Sequence, residues 1–272
     1  MIVGKDELFE RIRNYQFEAN VSEKSYKSKI DSLERAINSS VNEICREILK
    51  EEREVHLAFS GGVDSSLILV RLLGEIRTSD LVVAHTLAIN EEHPDMVYAK
   101  RFFGELKERH INLGHTLHFT EVIKEDIRSS NEILRANMDR PDNYYMLMKI
   151  LSEGTDKVIC CDVIDELMGG YYSHRSSDPE VSREKLKQDM GRLIENHLGI
   201  SDKMSSHFGI KVYLPYGSQR VMEAASAFRI DELVDEENRK KPIYEIAERN
   251  GVIKEIIERR KYGLVSAFDD IK

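Results

Sequence analysis

The sequence lacks any apolar run of the roughly 18 residues that a membrane-spanning helix needs. Its first residues, MIVGKDELFER, include acids and have neither the basic start nor the apolar stretch of a signal peptide. Its three cysteines, Cys45, Cys160 and Cys161, are too few for a disulfide framework and have no C-x-x-C spacing. We therefore expect a cytoplasmic protein with no membrane contact, no zinc site and no iron–sulfur cluster.

An excess of basic residues is also missing. The chain has 40 Lys and Arg residues against 49 Asp and Glu residues, which gives a net charge of −9. This balance disfavours sequence-independent binding to nucleic acid, whose phosphates attract basic surfaces, and leaves only a local basic groove open. With 272 residues, of which 41% are hydrophobic, the chain can form a core without disulfide or metal support.

The sequence does contain short apolar segments that alternate with helical ones. Helices of roughly 10 to 15 residues separate successive strand candidates. These candidates are Val55–Phe59, Leu81–Leu87, Thr116–Phe119 and Lys157–Cys161. Such an order predicts an α/β fold with right-handed βαβ units and a parallel sheet flanked by helices on both faces.

The helical segments on either side indicate how the chain is organised. Residues 20–52 carry apolar side chains at three- and four-residue steps, so we expect a helix that packs on the core. From about Pro179 onward the pattern is almost wholly helical. We therefore divide the chain into a helical lead-in at 1–52, an α/β core at 53–178 and a helical C-terminal part at 179–272.

The first strand candidate leads directly into a polar loop that contains two glycines. This loop consists of Ser60, Gly61, Gly62, Val63, Asp64, Ser65 and Ser66. Because a helix follows, its unpaired backbone N–H groups form an anion site, and glycine lets the backbone approach a phosphate closely. The serine hydroxyls add further donors. A carboxylate repels phosphates unless a cation intervenes, so Asp64 indicates a bound magnesium ion.

A helix capped by Ser60 or Asp64 after a glycine turn is the simpler interpretation of this loop. The complete seven-residue pattern after an apolar strand favours phosphate binding instead. Neither G-x-x-x-x-G-K-S/T nor G-x-G-x-x-G occurs in the chain, which disfavours kinase-type transfer of a γ-phosphate.

The loop resembles that of the PP-loop ATP pyrophosphatases. The resemblance implies a Rossmann-like, adenine nucleotide alpha hydrolase-like fold. It also implies that ATP is cleaved between the α- and β-phosphates and that AMP is left on the substrate. Leu87, at the end of the second strand candidate, is counted with the loop among the nucleotide-binding residues. The superfamily includes amide-forming ligases and also sulfur-inserting and lysidine-forming enzymes that act on tRNA.

Three carboxylates, Asp162, Asp165 and Glu166, follow the strand candidate that ends at Cys161. Open parallel sheets bind ligands at the carboxyl edge of their strands, so Asp64 and Asp165 are candidates to share one magnesium ion. The alternative is that Asp162 and Asp165 cap a helix and that the cysteine pair fills the core.

The segment Asp165–Tyr171, D-E-L-M-G-G-Y, resembles the second half of the motif S-G-E-G-x-D-E-x-x-G-G-Y. Asparagine synthetases and the related β-lactam and carbapenam synthetases carry this motif. Cys160–Val163 occupies its Ser-Gly-Glu-Gly part, so Asp162 replaces glutamate with a shorter acid. The resemblance runs from about Tyr26 to Phe268. Further matching segments are Asp202–Ser205, Leu214–Tyr216, Lys241–Tyr244 and Arg259–Gly263.

Departures from the family pattern occur near the C-terminal matches. Tyr213 stands where the family has arginine, and Gly217 and Ser218 stand where it has Leu-Asp. These differences indicate an altered substrate pocket. By the resemblance, Lys261 stabilises charge on the adenylate or on the tetrahedral intermediate. We expect Arg259 and the arginine after it on a solvated helix end.

Together these features predict a ligase that uses ATP and magnesium to adenylate a carboxylate and then transfers it to nitrogen, releasing AMP. Asp64 and Asp165 hold the metal. Asp162 positions the acceptor or acts as a base, and Asp95 lines the cleft. The alternatives are a tRNA-modifying or sulfur-transfer enzyme that uses the cysteine pair, and a non-catalytic ATP-binding module.

The nitrogen source stays open in this prediction. The chain before the phosphate loop is too short for a glutaminase domain. Free ammonia, a separate glutaminase subunit or an amine on a second substrate are the candidates. Assembly into a homo-oligomer is compatible with the sequence.

Histidines and tyrosines complete the set of candidates. His110, His115 and His118 are spaced by five and three residues, which does not place them on one helical face, so we expect no metal cluster there. Tyr144–Tyr145 and Tyr171–Tyr172 are expected at the core edge or in a pocket lining. The acidic charge of the chain disfavours them as a stacking platform for nucleic acid.

Overall fold

The sheet is the element that organises this chain. The computed structural model describes residues 1–21, 23–88, 90–108, 113–119 and 124–260. In this part of the chain, parallel strands form one sheet in the order β3-β2-β1-β4-β5. The strands are β1 (Glu54–Ala58), β2 (Leu81–Ala88), β3 (Leu113–Phe119), β4 (Lys157–Ile159) and β5 (Lys211–Tyr213). The predicted α/β fold with a parallel sheet is confirmed.

Helices connect these strands and flank the sheet. They are α1 (Lys5–Arg13), α2 (Tyr26–Ile48), α3 (Val63–Glu75), α4 (Pro94–Lys107), α5 (Lys124–Leu134), α6 (Asn143–Leu151), α7 (Ile164–Met168), α8 (Pro179–Leu193), α9 (Gly199–His207), α10 (Gln219–Ala225), α11 (Ile230–Leu233), α12 (Lys241–Arg249) and α13 (Lys254–Glu258). A π-helical turn, Ile194–Leu198, joins α8 to α9. None of the described helices is long and apolar enough to cross a membrane.

Helix α2 shows how the apolar pattern becomes packing. It begins later than the sequence indicates because the Ser25 side chain caps it by accepting a hydrogen bond from the N–H of Ser28. Its apolar side chains recur every three or four residues, and those of Ile30, Leu33 and Ile37 are fully buried. On this face α2 packs against α3 and α10.

The strand β5 is an addition to the segment after Pro179, which the sequence indicated to be almost wholly helical. It pairs with β4 in parallel, and Val158 lies opposite Val212. On its other side, Val212 forms a bridge with Ile2. Because β5 has three residues, it is too short to interrupt the helical periodicity of the sequence around it.

The order of the strands decides where a ligand binds. β1 lies between β2 and β4, and Leu57 of β1 is in register with Ile159 of β4. From β1, the chain continues to β2 and β3 on one side, whereas β4 and β5 are added on the other. The segments that follow β1 and β4 therefore diverge at the carboxyl edge of the sheet and leave a crevice there.

Candidate active site

The predicted phosphate-binding loop links β1 to α3, and its residues from Val63 to Ser66 form the first turn of α3. Gly62 is the N-cap residue of α3, and no side chain caps this helix end. The interpretation of Ser60 or Asp64 as a helix cap is therefore wrong. The backbone N–H groups of the first turn thus lack a side-chain cap, which is the arrangement that binds phosphate in other α/β proteins.

Close packing fixes the conformation of this loop. Gly61 has a positive φ of 65°, and a Cβ at this position would lie 2.5 Å from the backbone nitrogen of Ala99 in α4. Only glycine therefore allows the loop to approach α4. From the C-terminal part, the O–H of the buried Tyr216 donates a hydrogen bond to the carbonyl oxygen of Asp64 at 3.0 Å.

The two carboxylates predicted to share a metal ion face the same lysine. Lys240 Nζ lies 2.6 Å from Asp64 Oδ2 and 2.6 Å from Asp165 Oδ1, and the lysine side chain is 0% exposed. Burial acts to lower the pKa of Lys240, but the carboxylates of Asp165 and Asp64 outweigh it, so the pKa is raised and the lysine stays charged. Sequence reasoning missed this residue. The next residue, Lys241, begins the family-like segment Lys241–Tyr244 and pairs with Asp235 at 3.0 Å.

The donor set fits a magnesium ion bound together with a nucleotide. Asp64 Oδ1 is buried and has no hydrogen-bond partner. Magnesium is typically bound by one or two carboxylates plus phosphate oxygens, and Asp64 and Asp165 meet that description. The described residues contain no group of three or more His, Cys, Asp or Glu that could hold a metal ion. Two carboxylates together with nucleotide phosphates suit such an ion, which has to share Asp64 and Asp165 with Lys240.

Gly170 allows the contact between Lys240 and Asp165. A Cβ at this position would lie 1.8 Å from Asp165 Oδ1 and 2.3 Å from Lys240 Cε. The Arg239 guanidinium donates a hydrogen bond to the carbonyl oxygen of Gly170 at 2.7 Å. The second glycine of D-E-L-M-G-G-Y is thus required by the close approach of two charged side chains.

The other two acids after β4 are each bound by a tyrosine. The O–H of Tyr144 donates to Asp162 Oδ1 at 2.8 Å, and the O–H of Tyr171 donates to Glu166 Oε1 at 2.6 Å. The N-cap residue of α7 is Val163, and no side chain caps this helix. The alternative in which the aspartates cap the helix is therefore wrong.

Arg259 is buried against the phosphate loop. Its side chain is 4% exposed, and its Nη2 lies 2.8 Å from Asp95 Oδ1. The same nitrogen donates to the carbonyl oxygen of Ser60 at 3.4 Å, and the guanidinium lies over the ring of Tyr98. The expectation of a solvated helix end is wrong for Arg259, because Asp95 neutralises it inside the fold. Lys261 lies outside the described residues.

A cavity of about 370 Å³ opens at this edge of the sheet. It brings together residues from the loop, from the end of β2 and from the segment after β4. The predicted site residues in its lining are Ser60, Asp64, Ser65, Leu87, Asp95, Asp162 and Asp165. Tyr144 and Tyr171, expected at the core edge or in a pocket lining, line it as well. A smaller cavity of about 50 Å³ adjoins the loop at Gly62 and Val63, and Arg239 and Arg259 line it as well.

A row of three histidines crosses the sheet on the side of the large cavity. His56 Nδ1 lies 2.8 Å from His85 Nε2, and His85 Nδ1 lies 2.9 Å from His118 Nε2. His85 also lines the cavity. Burial lowers the pKa of His56 and of His118. His110 and the side chain of His115 lie outside the described residues.

A comparison with protein-family models identifies the family to which this chain belongs. The model described as asparagine synthase matches residues 36–188, more than half of the chain. The chain belongs to the asparagine synthase family. ATP binding follows from that membership.

Curated relatives point to the same asparagine synthase family. A glutamine-hydrolysing asparagine synthetase of Rattus norvegicus is 24% identical over 208 residues, which cover 71% of this chain and 35% of that protein. The corresponding Homo sapiens protein is 23% identical over 198 residues. A relative from Methanocaldococcus jannaschii is 26% identical over 239 residues, which cover 83% of this chain and 42% of that protein. The chain thus spans about a third to two fifths of the length of these relatives.

The asparagine synthase motif has glycine at the position of Val163, and the structure explains why. Val163 has φ 82°, a positive value that is rare for a β-branched residue. Such a conformation costs about 1–3 kcal/mol, and glycine avoids it. The chain thus retains the backbone turn between Asp162 and Asp165 although its residue is unsuited to it.

Among the departures from the family pattern, Cys160, Cys161 and Asp162 line the cavity, whereas Tyr213 and Ser218 do not. The O–H of Tyr213 donates to Glu47 Oε1 at 3.1 Å. Ser218 caps α10 by accepting a hydrogen bond from the N–H of Val221. Neither Tyr213 nor Ser218 lines the cavity, so these two changes do not alter the pocket as the sequence suggested. Asp202 of the matching D-K-M-S segment accepts a hydrogen bond from the N–H of Ile2 and anchors the N-terminus.

Proposed function

We propose that this chain is an AMP-forming carbon–nitrogen ligase of the asparagine synthase family. The observation that carries the proposal is the meeting of Asp64 and Asp165 at Lys240, directly beside a helix N-terminus without a side-chain cap. This arrangement combines phosphate-binding backbone donors with the carboxylates that a magnesium ion needs. The adenylated group is a carboxylate, and the acceptor is ammonia or an amine.

The first step is formation of an adenylate. A carboxylate oxygen of the substrate attacks the α-phosphorus of ATP, and the bond between the α-phosphorus and the bridging oxygen to the β-phosphorus breaks. Negative charge develops on the leaving pyrophosphate. Lys240 and Arg259, both buried at the loop, are placed to stabilise that charge through preorganised electrostatics. When bound at Asp64 and Asp165, magnesium would neutralise part of the same charge.

The second step is attack of nitrogen on the activated carbonyl carbon. The resulting tetrahedral intermediate expels AMP, and the attacking nitrogen loses one proton. Asp162, which lines the cavity, is our candidate for the group that accepts this proton or orients the acceptor. The O–H of Tyr144 fixes one Asp162 oxygen at 2.8 Å and thereby orients the carboxylate. Sequence reasoning placed Tyr144 at the core edge or in a pocket lining and gave it no partner.

Sulfur transfer has less support than amidation. Such chemistry needs a thiolate nucleophile near the nucleotide. Burial raises the pKa of both Cys160 and Cys161 well above the ordinary range, which keeps these thiols protonated near neutral pH. The nitrogen donor is proposed to be ammonia, supplied free or by a separate glutaminase subunit, or an amine.

Exchange of labelled pyrophosphate into ATP tests the proposal. Because adenylation is reversible, label enters ATP only when an acid substrate forms an adenylate. A panel of carboxylic acids is screened with ATP and Mg²⁺, and we expect acid-dependent exchange. Asp165→Asn should abolish it, whereas Asp156→Asn, at an exposed position outside the cavity lining, should retain it. ATP binding without exchange for any acid would contradict the proposal and favour a non-catalytic module.

A further inference from the structure

A second cavity, of about 460 Å³, lies away from the phosphate loop, between α1 and α8. The end of α1 and the segment after it, residues 12–17, form one side of this cavity. Residues 187–194, from α8 and the start of the π-helical turn, form the other side. We call this cavity the α1–α8 pocket. Apart from Lys187, the residues that line it lie outside positions 36–188, which the family model matches, so the family match does not account for it.

Apolar side chains form much of the wall of the α1–α8 pocket. Ile12 and Met190 are buried and belong to the hydrophobic core. The rings of Tyr15 and Phe17 pack edge to face, with their centroids 4.9 Å apart. The Tyr15 hydroxyl is buried and has no hydrogen-bond partner in the described part of the chain. A hydrogen-bond acceptor on a ligand would remove the cost of that unpaired group. The wall therefore suits an apolar molecule that carries an acceptor.

The charges at the α1–α8 pocket favour an anionic acceptor. Arg13 lines the pocket and forms no ion pair in the described part of the chain. Lys187 pairs with Glu184 at 3.1 Å on the surface of α8, and exposed pairs of this kind contribute little stability. No Asp or Glu lines the pocket among the described residues. A carboxylate complements the two cations and forms stronger hydrogen bonds than a neutral acceptor does.

The π-helical turn connects this pocket to the cavity at the carboxyl edge of the sheet. Ile194 lines the α1–α8 pocket, whereas Asn196 and His197 line the other cavity. The carbonyl oxygen of Ile194 accepts a hydrogen bond from the N–H of Gly199, and a Cβ at Gly199 would lie 2.7 Å from that oxygen. π-helical turns are rare, contain one extra residue and frequently occur at functional sites. A change between π and α geometry would rotate the residues after the turn by about 100° relative to α8.

We propose that the α1–α8 pocket is an effector site for a small molecule with an apolar body and one carboxylate. The apolar body packs against Tyr15, Phe17 and Met190, and the carboxylate binds Arg13 and Lys187. The π-helical turn transmits occupancy of the pocket to the cavity at the carboxyl edge, because a ligand shifts the turn toward the arrangement that it binds better. This inference goes beyond adenylation and depends on neither the acid substrate nor turnover.

Calorimetric titration with octanoate and with its uncharged counterpart octanamide tests the site. We expect octanoate to bind saturably and about fivefold more tightly than octanamide. Gly191→Leu should abolish binding, because a Cβ at Gly191 meets no atom within 4 Å and the larger side chain enters the pocket. Leucine also favours a helix more than glycine does, so α8 is retained. The matched control is Gly74→Leu, at an exposed glycine of α3 with the same free space, and it should bind octanoate unchanged.

Histidine side-chain NMR on the same samples tests the connection through the π-helical turn. The His197 signal, assigned by its loss in His197→Gln, should shift when octanoate saturates the unchanged protein and should stay constant in Gly191→Leu. The signal of His93, the buried N-cap residue of α4, is the internal reference and should not move.

Three results would each overturn the effector site. They are no saturable binding of octanoate, equal binding of octanoate by Gly191→Leu and the unchanged protein, and a His197 signal that does not respond to bound octanoate. None of these measurements involves turnover, so failure to form an adenylate would refute the proposed function and leave the effector site standing.

Discussion

Lys240 Nζ lies 2.6 Å from Asp64 Oδ2, although 176 positions separate these residues in the sequence. The lysine is fully buried and contacts Asp165 at the same distance. Two carboxylates this close to each other repel unless a cation lies between them. Lys240 is therefore a built-in counter-ion of the proposed adenylation site, and magnesium would share its ligands with it.

Replacing Lys240 by methionine tests its role as the counter-ion of Asp64 and Asp165. The change leaves two carboxylates without their cation, so we expect the free energy of unfolding to fall by about 3 kcal/mol. Added Mg²⁺ should restore more stability to Lys240→Met than to the unchanged protein, as measured by urea unfolding. Lys29→Met removes another buried lysine, paired with Glu232 at 2.8 Å, and should respond to Mg²⁺ no more than the unchanged protein. Equal Mg²⁺ responses of both variants would refute the counter-ion role.

Gly170→Ala should disrupt the same contact from the backbone side. The added methyl would overlap Asp165 Oδ1 and Lys240 Cε, so the two charged side chains have to separate. We expect a loss of about 1–3 kcal/mol in thermal unfolding, together with loss of pyrophosphate exchange. At Gly154 a Cβ meets no atom within 4 Å, so Gly154→Ala should leave both properties nearly unchanged. Similar behaviour of the two variants would show that the close approach at Gly170 is unimportant.

Because the turn at Val163 is strained, we predict that glycine at this position gives a more stable protein than alanine does. Within a helix or strand, a glycine variant is normally less stable than the alanine variant by about 0.5–1 kcal/mol. At Val163, where φ is 82°, glycine relieves strain that alanine retains, so Val163→Gly should be more stable than Val163→Ala. At Val221, a buried position in α10, the normal order should hold. Denaturant unfolding of the four variants checks this. A higher unfolding free energy for the alanine variant than for the glycine variant at both positions would contradict the strain at Val163.

The histidine row predicts a loss of stability on acidification. Burial lowers the folded-state pKa of His56 and His118 below the value of about 6.5 in the unfolded chain. The unfolded chain then binds more protons, so the stability from these residues is complete above about pH 6.5 and is lost as the pH falls through their folded-state pKa. His118→Gln should reduce the slope of the unfolding free energy against pH below about pH 6.5. His207→Gln replaces an exposed histidine and should leave this slope unchanged. Parallel slopes in both variants would refute the prediction.

Local sequence patterns were sufficient for the core of the fold. The spacing of apolar residues changes between β1 and α3, and Gly61 and Gly62 mark the turn between the two elements. That difference predicts both the strand and the phosphate loop. The acids after β4 follow from the same logic, because carboxyl ends of parallel strands share one edge.

The parts that sequence reasoning missed depend on contacts between distant segments. Lys240 lies between Arg239 and Lys241, a run that looks like a solvated basic surface until Asp64 is brought to it. Arg259 was misplaced for the same reason, because its partner is Asp95, 164 positions away. No local pattern contains this information, since burial of a charge is decided by the partner that tertiary structure supplies.

The nucleotide product is the most direct test of the central claim, adenylation at the phosphate loop. The protein is incubated with ATP, Mg²⁺, ammonium and each acid of the panel, and nucleotides are separated by anion-exchange chromatography. We expect acid-dependent formation of AMP and pyrophosphate in equal amounts, and the loss of both products in Asp64→Asn. Acid-dependent formation of ADP and phosphate would contradict it.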